Sequence, residues 1–131
     1  MNRRKSREQA FILLFESSFN LQEIDKIVKE AECARGEKLD DFSKSLLYGT
    51  IENTENIDKY IDGNLNGWQK SRLSYVVISI LRLSLYEILY CDEIPSGVSI
   101  NEAVELAKKY GSPEEASYIN GVLGSVVRKL L

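Results

Sequence analysis

The chain contains no histidine. That absence removes the commonest general base, the commonest zinc ligand, and both the Ser-His and the Cys-His nucleophile pairs. Carboxylates and lysines are the groups left for acid–base chemistry, so composition points away from an enzyme. Cysteine is scarce: Cys33 and Cys91 stand in neither metal-ligand nor C-x-x-C spacing. In a cytosolic chain they read as free thiols behaving as small apolar side chains. The two prolines, Pro95 and Pro113, both fall at segment boundaries. The longest apolar run, Tyr75 to Leu81, is cut by Ser79 and ended by Arg82. It is far shorter than the roughly 20 residues that span a bilayer. The first residues are cationic, but no secretory apolar region with a small-residue cleavage site follows them. The expected location is therefore the cytoplasm, with no membrane partner. No Gly-rich phosphate loop, internal repeat or low-complexity linker occurs.

What is present fits one globular domain. The 131 residues are 44% apolar and 28% charged, enough to bury a real core. The net charge of −3 hides an asymmetry. Arg3, Arg4, Lys5 and Arg7 give the first seven residues +4, so the acidic remainder carries −7. A basic patch on an acidic body suggests a local electrostatic site.

All the periodic segments read as helix. Ala10, Phe11, Leu14, Phe15 and Phe19 form one stripe of a first helix over about Arg4 to Phe19. Asn20 and Glu23 resemble a capping box that opens a second helix, with Ile24, Ile27, Val28 and Ala31 inward and Gly36 as its stop. Asp40 or Asp41 can cap a third helix running through Phe42, Leu46, Ile57 and Ile61, ending in the loop of Gly63 and Gly67. Leu73 to Cys91 is rich in β-branched residues. It is too long for an ordinary strand and apolar all round, which predicts a central helix packed on several sides. Ser99 and Glu102 stand in capping-box register ahead of Ala103, Val104 and Ala107, and Gly111 suits a left-handed C-terminal stop. Ser112, Pro113 and Glu115 then supply the cap, N1 and N3 of a last helix. That helix is expected to bury Ala116, Ile119, Leu123, Val126, Val127 and Leu130. Gly121 and Gly124 inside it cost about 1 kcal/mol each relative to alanine, which predicts close packing or a partner there. The fold class is all-α, with five to seven helices.

The basic start has two readings. One is a solvated, frayed terminus. The other follows from geometry: at about 100° per residue, Arg3, Arg4 and Arg7 point to the same side as Phe11, Leu14 and Phe15. The cations thus continue the core-facing stripe and overhang the rim of the body, where they suit phosphates or an acidic neighbour. Arginine outnumbers lysine there, as bidentate phosphate recognition favours. Lys70 and Arg72 beside Trp68 extend this to a second basic stretch with an aromatic for stacking; the competing reading is a tryptophan anchoring a loop. Tyr118 falls off the buried stripe and is a candidate platform. Arg82 reads as a structural ion-pair partner, and Glu114 and Glu115 as helix-terminal acids rather than a catalytic pair.

The stretches ILRLSLYEILY and IPSGVSINEAVELAKKYGSPEEASYINGVLGSV, with RRKSREQAFILLF at the start, resemble the NusB family of bacterial transcription antitermination factors. The resemblance covers nearly the whole chain, with Leu21 to Asn66 alike only in helical pattern. It implies a NusB-like compact bundle of about seven helices in two packed subdomains, about 1–66 and 67–131, forming a single RNA-binding domain. It implies binding of single-stranded boxA RNA in ribosomal RNA leader transcripts. It implies a heterodimer with NusE, a small-subunit ribosomal protein, within the RNA polymerase antitermination complex. Some members form homodimers instead. It implies no cofactor, no metal and no catalysis. By position it assigns RNA contact to Arg3, Arg4, Lys5, Arg7, Phe15, Glu114, Tyr118 and Asn120. The chain departs from the family at Ser96-Gly97, where a bulky or basic pair is common, and at Val77 and Ile78, where charged residues are common.

Two rivals remain. The same helical domain precedes the catalytic domain of some ribosomal RNA cytosine methyltransferases, which would require a longer chain than one ending at Leu131. A helical protein-interaction module without RNA is the other.

Overall fold

The computed structural model describes residues 2–19, 23–65 and 67–131. Seven α-helices and one 3₁₀ turn account for the regular structure among them. The first, α1 (Arg3–Ser17), begins where Asn2 accepts a hydrogen bond from the Lys5 backbone N–H. It buries Ala10, Phe11, Leu13 and Leu14. It stops short of Phe19, which is exposed rather than on the buried stripe as expected. The expected capping role of Asn20 lies outside the described residues. The next helix, α2 (Ile24–Arg35), closes on Gly36 at φ +76°, the left-handed conformation only glycine adopts without strain.

The single third helix of the sequence reading is two helices, α3 (Asp41–Glu52) and α4 (Thr54–Asp62). The break falls at Asn53, whose φ of −109° and ψ of 14° leave the helical region. Its side-chain amide donates to the Gly49 carbonyl, and the Thr54 hydroxyl donates to that of Thr50. These local side-chain bonds let the chain turn without orphaning carbonyls. Leu46 and Ile57 keep a helical spacing across the break, so periodicity alone does not reveal it.

The 3₁₀ turn (Lys70–Arg72) leads into α5 (Tyr75–Tyr90), capped by the Ser74 hydroxyl on the Val77 N–H. This is the central helix: it packs on α1, α3, α4, α6 and α7. Val77, Ile78, Ile80, Leu81, Leu83 and Leu85 are all buried, each such side chain contributing roughly 1.5–3 kcal/mol of burial. Val77 and Ile78 therefore enlarge the core, and Val77 also lines the floor of a hollow beside Trp68 and Tyr118. Where α3 crosses α5, the Tyr86 ring covers Gly49 so closely that a Cβ there would overlap it.

Last come α6 (Ser96–Tyr110) and α7 (Pro113–Leu130), which form the most extensive helix pair. The α7 start is as expected, with the Ser112 hydroxyl accepting from the Glu115 N–H and Pro113 in the first turn. Three other expectations are corrected. Ser99 is not a cap, because α6 begins at Ser96, one residue after Pro95; Ser99 is buried and donates to Glu87. Gly111 sits at φ −120°, outside the left-handed region. On α7, Val122 is buried, whereas Val127 is half-buried and Leu130 exposed. Gly121 is open on its Cα side and Gly124 meets only the Arg128 guanidinium, so packing within this chain does not explain either glycine. Both cysteines are free, Cys91 buried and Cys33 exposed.

Candidate nucleic-acid interface

The four N-terminal cations have different environments. Arg3 is exposed and lies over the Phe42 ring at 4.4 Å from its centre. Arg4 is bidentate to Glu102 of α6, Nε to Oε1 at 3.1 Å and Nη2 to Oε2 at 2.9 Å, yet its side chain stays 66% exposed. The bond and charge of Glu102 raise the Arg4 pKa, and Arg4 in turn holds Glu102 below the usual carboxylate range. Lys5 is exposed.

Arg7 corrects the overhang argument. It is 6% exposed and locked to the Glu87 carboxylate of α5, Nη2 to Oε1 at 2.6 Å and Nε to Oε2 at 2.9 Å. The stripe that carries Phe11 and Leu14 inward carries Arg7 inward too, and a buried acid meets it there. This guanidinium joins α1, α5 and, through Ser99, α6. It is a structural group.

Two residues not nominated from sequence complete the cation cluster. Lys108 and Lys109, at the end of α6, line a depression of about 480 Å³ together with Arg4, Lys5, Glu8 and Glu102. Lys109 also pairs with Glu8, which accepts a hydrogen bond from Tyr110 as well. Nothing local marks these lysines, because cations in a last helical turn are already explained by the dipole. Only the packing of α6 against α1 brings them to Arg4 and Lys5.

The second group of expected residues divides. Trp68, Arg72, Glu114 and Tyr118 surround one hollow of about 330 Å³. The Trp68 and Tyr118 rings lie 5.4 Å apart, and the Tyr118 hydroxyl donates to the Leu65 carbonyl, leaving the ring half-buried. Burial pushes its pKa up. Lys70 does not join them: it faces Asp58 at 3.4 Å and Asp62 at 3.2 Å. Arg82 is the structural partner expected of it, bidentate to the same Asp58. Phe15 is half-buried between Phe11 and Phe19. Asn120 is exposed on another face of α7, in the groove between α6 and α7 with Ile100, Val104 and Ser117.

This arrangement of helices has counterparts. The model of the family described as "NusB family" matches residues 4–128. The transcription antitermination protein NusB of Clostridium novyi (strain NT) is 42% identical over 132 residues, 98% of this chain and 99% of that protein. The chain belongs to the NusB family. Among solved NusB structures, that of T. maritima superposes with a TM-score of 0.85 at 32% identity, covering 98% of this chain and 92% of that one. The crystal structure of antitermination factors NusB and NusE in complex with double-stranded RNA gives 0.86 at 25% identity, covering 97% of this chain and 96% of that one. NusB proteins thus share this chain's all-helical architecture along its whole length. Among the described residues, no helix is long and apolar enough to cross a membrane.

Proposed function

We propose that this NusB-family chain is a non-catalytic antitermination factor of the cytoplasm. It binds single-stranded boxA RNA of ribosomal RNA leader transcripts together with NusE and couples them to RNA polymerase. The observation that carries this reading is the meeting of Arg4, Lys5, Lys108 and Lys109 around one depression, supplied by two helices about 100 residues apart in sequence. Such a cluster on an otherwise acidic chain is an electrostatic seat for a phosphate backbone. The similar solved complex, which holds NusB, NusE and RNA, supports the choice of RNA and of NusE as partners.

Arg4, Lys108 and Lys109 are each paired with a carboxylate of the same depression, Glu102, Glu105 and Glu8 respectively. Phosphates take the place of these partners, so the slope of log K against log salt for a single strand is shallower than the value of about −3 for four free cations. That is modest binding, so NusE acts by holding a second contact and raising the effective concentration of the RNA. The test is equilibrium binding of boxA and scrambled single-stranded RNA, with and without NusE, across a salt series. Preference for boxA and a gain with NusE are expected. Indifference to both ends the reading.

A further inference from the structure

At the far end of α1 from the cations, two aromatic side chains stand exposed side by side. Phe19 is 58% exposed and Tyr75 is 53% exposed. Their ring centres are 4.7 Å apart at an interplanar angle of 64°. Phe19 meets Phe15 at 4.9 Å, Phe15 meets Phe11 at 5.9 Å, and Phe11 meets Tyr110 at 5.1 Å. Five rings thus form an unbroken row from the last residue of α6, along α1, to the first residue of α5.

The two ends of this row differ. Tyr110 lies beside Lys109, whose Nζ is 5.5 Å from the ring centre, and so touches the cation cluster. Tyr75 follows Ser74, whose hydroxyl donates to Glu115 at the edge of the Trp68–Tyr118 hollow. From Arg4 to Ser17, the last residue of α1, the rise along the helix axis is about 20 Å. Packing accounts for Phe11 and Phe15, which rest on the core. It does not account for Phe19 and Tyr75. Exposed large apolar groups gathered in one place mark a contact surface. Glu16 and Glu115, the acids flanking this end, disfavour phosphates there, so what it offers a polynucleotide is ring surface and not charge. Every base has a π-face to place on such a surface, provided the base is unpaired.

We propose that Phe19 and Tyr75 form a stacking platform for unpaired nucleobases, continuing the phosphate seat of Arg4, Lys5, Lys108 and Lys109 along α1. The proposal rests on the RNA-binding reading above and adds which end of the bundle takes bases. One strand lies with its phosphates at the start of α1 and its bases on the rings at the end.

The test measures binding of the full chain to a single-stranded RNA oligomer, to the same oligomer carrying abasic sites, and to the matching duplex. Phe19→Leu and Tyr75→Leu keep apolar bulk and remove the π-face. Each is expected to weaken single-strand binding by about 5- to 100-fold, with an unchanged salt slope and little effect on the abasic oligomer or the duplex. Phe19→Tyr and Tyr75→Phe are expected to bind as the parent does, and far-ultraviolet circular dichroism verifies that each variant is folded. Leucine variants that bind like the parent, while Arg4→Ala still weakens binding, overturn the platform and leave the RNA reading intact. Leucine variants that keep RNA but lose NusE make the ledge a protein surface and also overturn it. A parent chain that binds no RNA removes both.

Discussion

Arg7 of α1 and Glu87 of α5 form a buried, bidentate ion pair 80 residues apart in sequence, with Ser99 of α6 donating to the same carboxylate at 3.0 Å. Three helices are thereby joined at one polar point inside an apolar bundle. A buried charge left without its partner is far more costly than an exposed one.

Arg7→Ala is therefore expected to destabilise the fold by about 3–5 kcal/mol, visible as a large drop in the denaturation midpoint. The double replacement Arg7→Met with Glu87→Leu, which removes both charges and keeps volume, should lie much closer to the parent. Equal losses for the single and the double variant would show that the pair is not the source of the effect.

Arg4 and Lys5 should behave in the opposite way. Replacing both by alanine is expected to make the salt dependence of single-stranded RNA binding shallower by up to about 1.4, or 0.7 per cation, with only a small drop in melting temperature from the loss of the exposed ion pair to Glu102. Replacing Lys108 and Lys109 by alanine should do the same, since they line the same depression. A salt series run on each double variant beside the parent measures both slopes.

Gly49→Ala should destabilise the crossing of α3 on α5. The new Cβ would overlap the Tyr86 ring, and overpacking of this kind costs about 1–3 kcal/mol. Adding Tyr86→Leu should recover part of the loss by clearing the space. Urea unfolding of the two variants reads the difference.

Acid should loosen the seam between α1 and α6. The hydrogen bond from Lys109 is the main cause holding Glu8 below the ordinary carboxylate range, and the bond from Arg4 does the same for Glu102. Carboxyls depressed in the folded state contribute stability that is fully present above the unfolded value of about 4.3 and lost as pH falls through the folded value. Unfolding free energy should thus hold steady near neutrality with respect to these groups and decline below about pH 4. The Glu8→Gln and Glu102→Gln double variant should show a shallower acid limb when unfolding is followed from pH 7 to pH 3.

Much of the architecture is legible in the order of the residues. Gly36 and the run Ser112-Pro113-Glu115 mark a helix end and a helix start because the chemistry of those positions is local. The apolar wheel of α5 announces a helix buried on several sides. The Asn53 break is hidden because the hydrophobic period continues across it. The register of Ser99 and Glu102 matches a cap, but both side chains are taken by tertiary partners, Glu87 and Arg4. Glu87, the one acid in the mostly apolar helix α5, is a local sign that a cation has to enter the core.

The sequence by itself determined where most helices lie, which face of each is apolar, that a cationic cluster opens the chain, and which family it belongs to. The helices, their apolar faces and the cationic cluster follow from periodicity, capping and residue order, which act over a few residues, whereas the family is read from the likeness of whole stretches such as INEAVELAKKYG. Tertiary structure alone decided that Arg7 turns inward while Arg4 and Lys5 remain outside, and that Lys108 and Lys109 join them. Helical period gives the direction of a side chain but not how far the neighbouring helix extends to meet it. That extent is set by the packing of α5 and α6 against α1.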